Sequence, residues 1–167
     1  SSVVSGIFAT RATLSFSWSG EGLHVRCRVT DQEHNGDHTG PHIWKNDSIQ
    51  FGLDPMNGRN WSEYTFSLTG DGAAAWNHNP PEGFKSGKFD GACSVTRRGN
   101  LTEYSFTIPP ERLGFELKDG TQFRIALLIN DSDGGIRSRT MLFFDGLDGH
   151  KDTGKFGLVQ LRSGRRK

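Results

Sequence analysis

The chain is 167 residues long, 33% hydrophobic, with 22 Gly, 12 Phe and 4 Trp; that suffices for one packed core and argues against two domains. The formal net charge is +1, yet Arg162, Arg165, Arg166 and Lys167 fall in the last six residues; without them 16 basic residues face 19 acidic ones, so the body has no basic excess for nucleic acid. No apolar run is long enough to cross a bilayer and no charged-then-apolar leader opens the chain, so membrane insertion is not expected.

The chain opens at Ser1-Ser2-Val3-Val4 without an initiator Met, as a processed protein or an excised piece does. Leu14, Phe16 and Trp18 alternate with Thr13, Ser15 and Ser17, which predicts a strand with one apolar face. Gly20-Glu21-Gly22 then turns into a second strand, where Leu23, Val25, Cys27 and Val29 share a face. Ile49, Phe51 and Leu53 mark the next strand, and Tyr64, Phe66 and Leu68 another, closed by Thr69-Gly70-Asp71-Gly72. Residues 77–91 read as a loop rich in Asn, Pro and Gly. A hairpin over residues 92–97 and 102–108 follows, turned at Arg98-Gly99-Asn100, and Pro109 to Gly114 holds at most a helical turn. Phe123, Ile125, Leu127 and Ile129 define a strand, and residues 137–144 and 156–161 complete the series. About nine or ten strands with no βαβ alternation predict an all-β, antiparallel two-sheet sandwich of jelly-roll or immunoglobulin type. It occupies residues 1–161 and leaves 162–167 as a basic, solvated tail.

Cys27, on an apolar strand face, reads as a buried thiol; pairing with Cys93 is the alternative, and the two are not spaced as a metal site. His34, His38 and His42 recur every four residues, but Gly36, Gly40 and Pro41 forbid the helix that would align them on zinc. Glu63 and Glu103 are isolated strand residues, and no nucleophile elbow or HExxH helix is present, so binding is favoured over catalysis. Trp44, in Pro41-His-Ile-Trp-Lys-Asn-Asp-Ser48, stands among turn-formers just before a strand. An indole there is either a platform for the C–H face of a pyranose or a cap on the sandwich edge. Trp76, beside a predicted loop, is placed to extend such a surface, whereas Trp61 heads a strand and Trp18 belongs to the core. Aspartates at strand ends suit a hard cation or simple turn formation.

Two ordered pairs of segments carry a resemblance: Gly22–Asp31 with Ile43–Pro55, and Phe123–Asp131 with Gly154–Gly157. With the Tyr64-x-Phe66 strand and Ile108-Pro109, they make residues 11–161 resemble carbohydrate-binding module family nine and its wider DOMON-like sandwich relatives. The resemblance implies a sandwich that clamps a sugar ring between two aromatic side chains, with structural Ca²⁺ nearby. Trp44 matches the first clamp residue, and His150 stands at the second in place of an aromatic ring. Gln50 replaces an acidic residue and Ser67 an arginine that bind sugar in the characterised type. The family's N-terminal strand, with its Ile-Asp-Gly start, is expected to be missing. Asp31, Asp47 and Asp131 match recurring acidic positions and take any Ca²⁺ role.

The function so implied is a non-catalytic carbohydrate-binding module that targets a secreted, extracellular or periplasmic polysaccharide-degrading enzyme. Its partners are a polysaccharide or oligosaccharide and the other domains of that enzyme. One alternative is a haem-binding electron-transfer domain using Met56, Met141 or the loop histidines. Another is a degenerate interaction domain, favoured by the departures at Gln50, Ser67 and His150.

Overall fold

A computed structural model describes residues 2–5, 11–135, 137 and 139–164. The alternating segments form two antiparallel sheets facing each other. The first holds β1 (Ser2–Ser5), β2 (Arg11–Ser19), β3 (Gly22–Thr30), β8 (Cys93–Arg98) and β9 (Leu101–Ile108), in the order β1-β2-β3-β9-β8. The second holds β4 (Ser48–Asp54), β5 (Ser62–Thr69), β6 (Gly72–Asn79), β7 (Gly87–Lys88), β10 (Gln122–Asp131) and β11 (Arg139–Phe143), in the order β11-β10-β4-β5-β6-β7. A further short strand, β12 (Gly157–Gln160), shares the outer edge of β10 with β11: β11 pairs with residues 127–131 and β12 with residues 122–125. The only α-helical turn among the described residues is α1 (Pro110–Leu113), closed by Gly114 at φ 75°.

The core between the sheets is built from the residues whose alternation was visible in the sequence. Phe66 of β5 stacks on Phe106 of β9 at 3.9 Å between ring centroids, and Phe51 of β4 meets the same ring edge-on at 5.4 Å. Cys27 lies in this core, and burial pushes its thiol up to about 12; Cys93, half-buried, rises to about 11. Both thiols are free, as the buried-thiol reading expects.

β10 is buried on both faces. Phe123, Ile125, Leu127 and Ile129 enter the main core, while Ala126 and Leu128 join Leu147, Phe156 and the half-buried Trp61 in a second cluster under residues 144–156. That loop lies close because Gly52 has no side chain: a Cβ there would sit 2.8 Å from the Phe156 ring and 3.0 Å from Leu147. Gly52→Val should therefore cost about 2 kcal/mol by overpacking, read as a lower urea midpoint at constant m-value.

Three strands depart from the sequence expectation. β6 occupies part of what reads as a loop, because Ala73-Ala74-Ala75 carries little β signal; pairing to β5 on one side and β7 on the other holds it. β7 is only two residues long. An N-terminal strand that the alternation did not announce, β1, pairs from Ser2 opposite Leu14 to Ser5 opposite Arg11, without an Ile-Asp-Gly start. Of the basic tail, Arg165, Arg166 and Lys167 lie outside the described residues.

Candidate functional site

The outer face of the seven-stranded sheet is crossed by a 3₁₀ turn, Gly40–Lys45, which Pro41 starts with its fixed φ. The exit of this turn is tied down from below. Asn46, fully buried, accepts from the His38 N–H at 2.8 Å and donates to the His38 carbonyl at 2.9 Å and to Ser67 Oγ at 3.2 Å. Ser67 Oγ in turn donates to the Asp47 carbonyl at 3.0 Å. Ser67 is fully buried and holds the loop, so it does not present a hydroxyl to a ligand as the sequence suggested. Ser67→Ala is expected to lower stability by about 1–2 kcal/mol through the orphaned Asn46 amide, while changing sugar affinity less than twofold in a titration.

Held this way, half-buried Trp44 forms one wall of a cleft of about 600 Å³. The guanidinium of Arg137 lies 5.6 Å from the indole centroid and pairs with Asp148 at 3.1 Å. The floor is formed by polar groups of β4 and β5 and a lysine from the loop after β11, with Asn130 of β10 backing it from outside the cleft. Asn130 Nδ2 donates to Gln50 Oε1 at 3.1 Å, and Gln50 Nε2 donates to Glu63 Oε1 at 2.7 Å. Lys151 Nζ donates to the same carboxylate oxygen at 3.0 Å and to the Leu147 carbonyl at 2.6 Å. Glu63 is 5% exposed, so its charge is stabilised by these two donors more than by water. A bulge where β6 pairs with Glu63 and Tyr64 inserts His78 as the extra residue. His78 lines the cleft, and its buried Nε2 has no hydrogen-bond partner among the described residues. Burial chiefly holds this imidazole below its ordinary pKa, with Glu63 opposing and Lys151 reinforcing the shift.

The structure thus brings Trp44 and Gln50 together, as the sequence suggested, and separates the others. His150 is exposed and does not line the cleft, although its neighbours Gly149 and Lys151 do. Trp76 belongs to a separate depression of about 240 Å³, against Thr39, Gly40 and Ile43 from the start of the same 3₁₀ turn. It does not extend the Trp44 surface. Glu63, His78, Arg137 and Lys151 had carried no binding signal. They converge only through β-sheet register and a loop 88 positions from Glu63, which no local spacing reveals.

At the end of the sheets, carboxylate oxygens of Asp31, Asp47 and Asp131 lie within 4.8 Å of one another. Burial first, then the charges of Asp131 and Asp47, push the Asp31 carboxyl up to about 6. Asp47 is held rigidly: Oδ1 accepts from the Ser132 N–H and Oδ2 from the Asn35 N–H, each at 2.6 Å. Asn130 lines the same small pocket, and its Oδ1 is buried with no hydrogen-bond partner among the described residues. An all-oxygen set of clustered carboxylates and an amide carbonyl suits a hard divalent cation. Arg97 also reaches this end, but donates to the carbonyl of Asp31 at 2.9 Å.

A comparison with curated proteins gives no match. Among solved structures, a carbohydrate-binding module of family 9 from Caldicellulosiruptor kristjanssonii in complex with glucose superposes with a TM-score of 0.72 at 17% identity, covering 98% of this chain and 82% of that one. The structure of a family 9 module from the same organism with cellotriose gives 0.72 at 17% identity, covering 97% and 80%. These likenesses establish the shared sandwich fold. The family model for the carbohydrate family 9 binding domain-like group matches residues 2–164, and the chain belongs to that family.

Proposed function

We propose that this domain is a non-catalytic module that binds a sugar ring against Trp44 and keeps a larger, secreted carbohydrate-active protein on its polysaccharide. The observation that carries the reading is the open cleft in which an indole wall stands over the Gln50–Glu63–Lys151 chain. An apolar ring face and a row of fixed donors and acceptors are the two requirements of a pyranose, whose C–H face stacks while its rim hydroxyls are satisfied. Arg137 lies over the indole in place of a second aromatic ring. An entering sugar displaces it toward Asp148, its partner at 3.1 Å. Glucose and cellotriose, bound by the family 9 structures, are the first ligands to try.

Asp31, Asp47 and Asp131 would hold a structural Ca²⁺. Bound there, the ion would neutralise the clustered carboxylates and fix the end of β3, the loop before β4 and the end of β10 to one another. The haem alternative gains nothing from the two methionines. Met56 is exposed in the turn after β4, whereas Met141 packs against the core opposite Ile129, toward the other end of β10.

The test is isothermal titration of the intact domain with glucose, cellotriose and a panel of neutral polysaccharides. Saturable heat with one of them supports the module. A folded protein silent to the whole panel overturns it.

A further inference from the structure

The outer face of the five-stranded sheet, on the side of the sandwich opposite the Trp44 cleft, is polar in every row, and its charge is lopsided. Register places Arg11, Thr30, Leu101 and Arg98 in one row across β2, β3, β9 and β8. Thr13, Arg28, Glu103 and Thr96 form the next, and Ser15, Arg26, Ser105 and Ser94 the third. These rows hold four arginines and one acid, a local net charge of +3, on a body whose net charge is −3 without the tail. Such a separation of sign concentrates positive potential on one face.

The arginines are presented rather than consumed. Arg26 and Arg28 are 56% and 52% exposed in their side chains and share the single Glu103, at 2.7 and 3.4 Å. A guanidinium carries five N–H donors, so each retains several for a ligand. Arg98 is exposed and lines the same depression, of about 290 Å³, with Arg26, Arg28 and Thr96. Arg26 and Arg28 lie about 7 Å apart along β3, and Arg98 is two strands away, about 10 Å. That spread suits several anionic groups on a polymer better than one small ion.

We infer that this face is a second binding surface, specific for an acidic polysaccharide bearing carboxylates. Serine and threonine hydroxyls between the arginines can bond sugar hydroxyls, while guanidinium groups take carboxylates, as Arg26 already does when its Nη2 donates to both oxygens of Glu103, at 2.8 and 2.7 Å. Among the described residues these three rows carry no aromatic ring on which bases would stack, His24 of the adjoining row being the nearest on the face, and half-buried Leu101 is their only large apolar side chain. A single-stranded nucleic acid or a membrane interface would call for those groups.

The test uses the intact domain in affinity electrophoresis and titration calorimetry, with polygalacturonate, an uncharged glucan and duplex DNA as probes. Binding to polygalacturonate is expected at low salt, to weaken about tenfold as NaCl is raised through physiological strength, and to fall about tenfold or more in Arg28→Gln/Arg98→Gln. Both positions are exposed, and an unchanged melting temperature confirms that the variant is folded. Trp44→Ala should leave polygalacturonate binding intact, so this surface and the cleft succeed or fail separately. The inference is overturned by absence of polygalacturonate binding at low salt, by binding that the double variant retains, or by equal binding to duplex DNA.

Discussion

Trp44→Ala should lower affinity for the neutral sugar by about 30- to 100-fold, equivalent to about 2–3 kcal/mol, with little change in melting temperature. The indole is half-buried and forms a wall of the cleft, while the turn that carries it is secured by Asn46, Ser67 and Asp47 and not by the ring itself. Truncation therefore removes a platform without releasing the loop. Trp44→Phe should recover part of the loss, because a smaller ring still offers an apolar face. Titration calorimetry of the three proteins against the same oligosaccharide checks the order. Equal affinity in wild type and Trp44→Ala would move the sugar away from this wall.

The aspartate cluster should make stability depend on calcium and pH together. Asp31 is raised from 3.8 to about 6, so between those values the folded protein holds a proton that the unfolded chain has released. Stability without a cation then falls as pH rises through this window, and the penalty is complete above about 6. Because Asp31 is only half-buried, solvent screening reduces the penalty to about 1 kcal/mol. Calcium bound at the proposed site would reverse the sign: it requires ionised carboxylates, so its stabilisation would grow through the same window. At a hundredfold excess over its dissociation constant the ion contributes about 2.7 kcal/mol, or roughly 5–10 °C in a domain of this size. Asp31→Asn should be more stable than wild type in chelator and should lose the calcium response. Melting curves from pH 4 to 7, with calcium and with chelator, decide the matter; a variant less stable in chelator would contradict the repulsion.

Most of the fold was readable because burial and strand period coincide. Leu23, Val25, Cys27 and Val29, or Phe123 to Ile129, announce both a strand and its inward face. β6 escaped because its inward residues are Ala75 and the polar Asn77, and β7 because two residues carry no period. The site was half visible. Trp44 and Gln50 lie six positions apart on one local segment, whereas Glu63, His78 and Lys151 reach them through sheet register, a bulge and a distant loop. Carrying the second clamp to His150 placed the emphasis one residue early: it is Lys151 that turns inward, toward the buried Glu63 and the Leu147 carbonyl. The three aspartates, by contrast, were singled out from the other strand-end aspartates by the family resemblance, and the structure brings them together.

The placement of β10 sets when the cleft comes into being. Its pairing with β4 joins residues as far apart as Asn130 and Ser48, 82 positions along the chain, and contacts of such long sequence separation are late and slow to form. Trp44 and Gln50 precede this strand, and Lys151 follows it. During synthesis the chain therefore presents the indole long before it possesses the floor beneath it, and the cleft is complete only after the last third of the domain has docked. Ligand capture is in this sense a readout of completed folding.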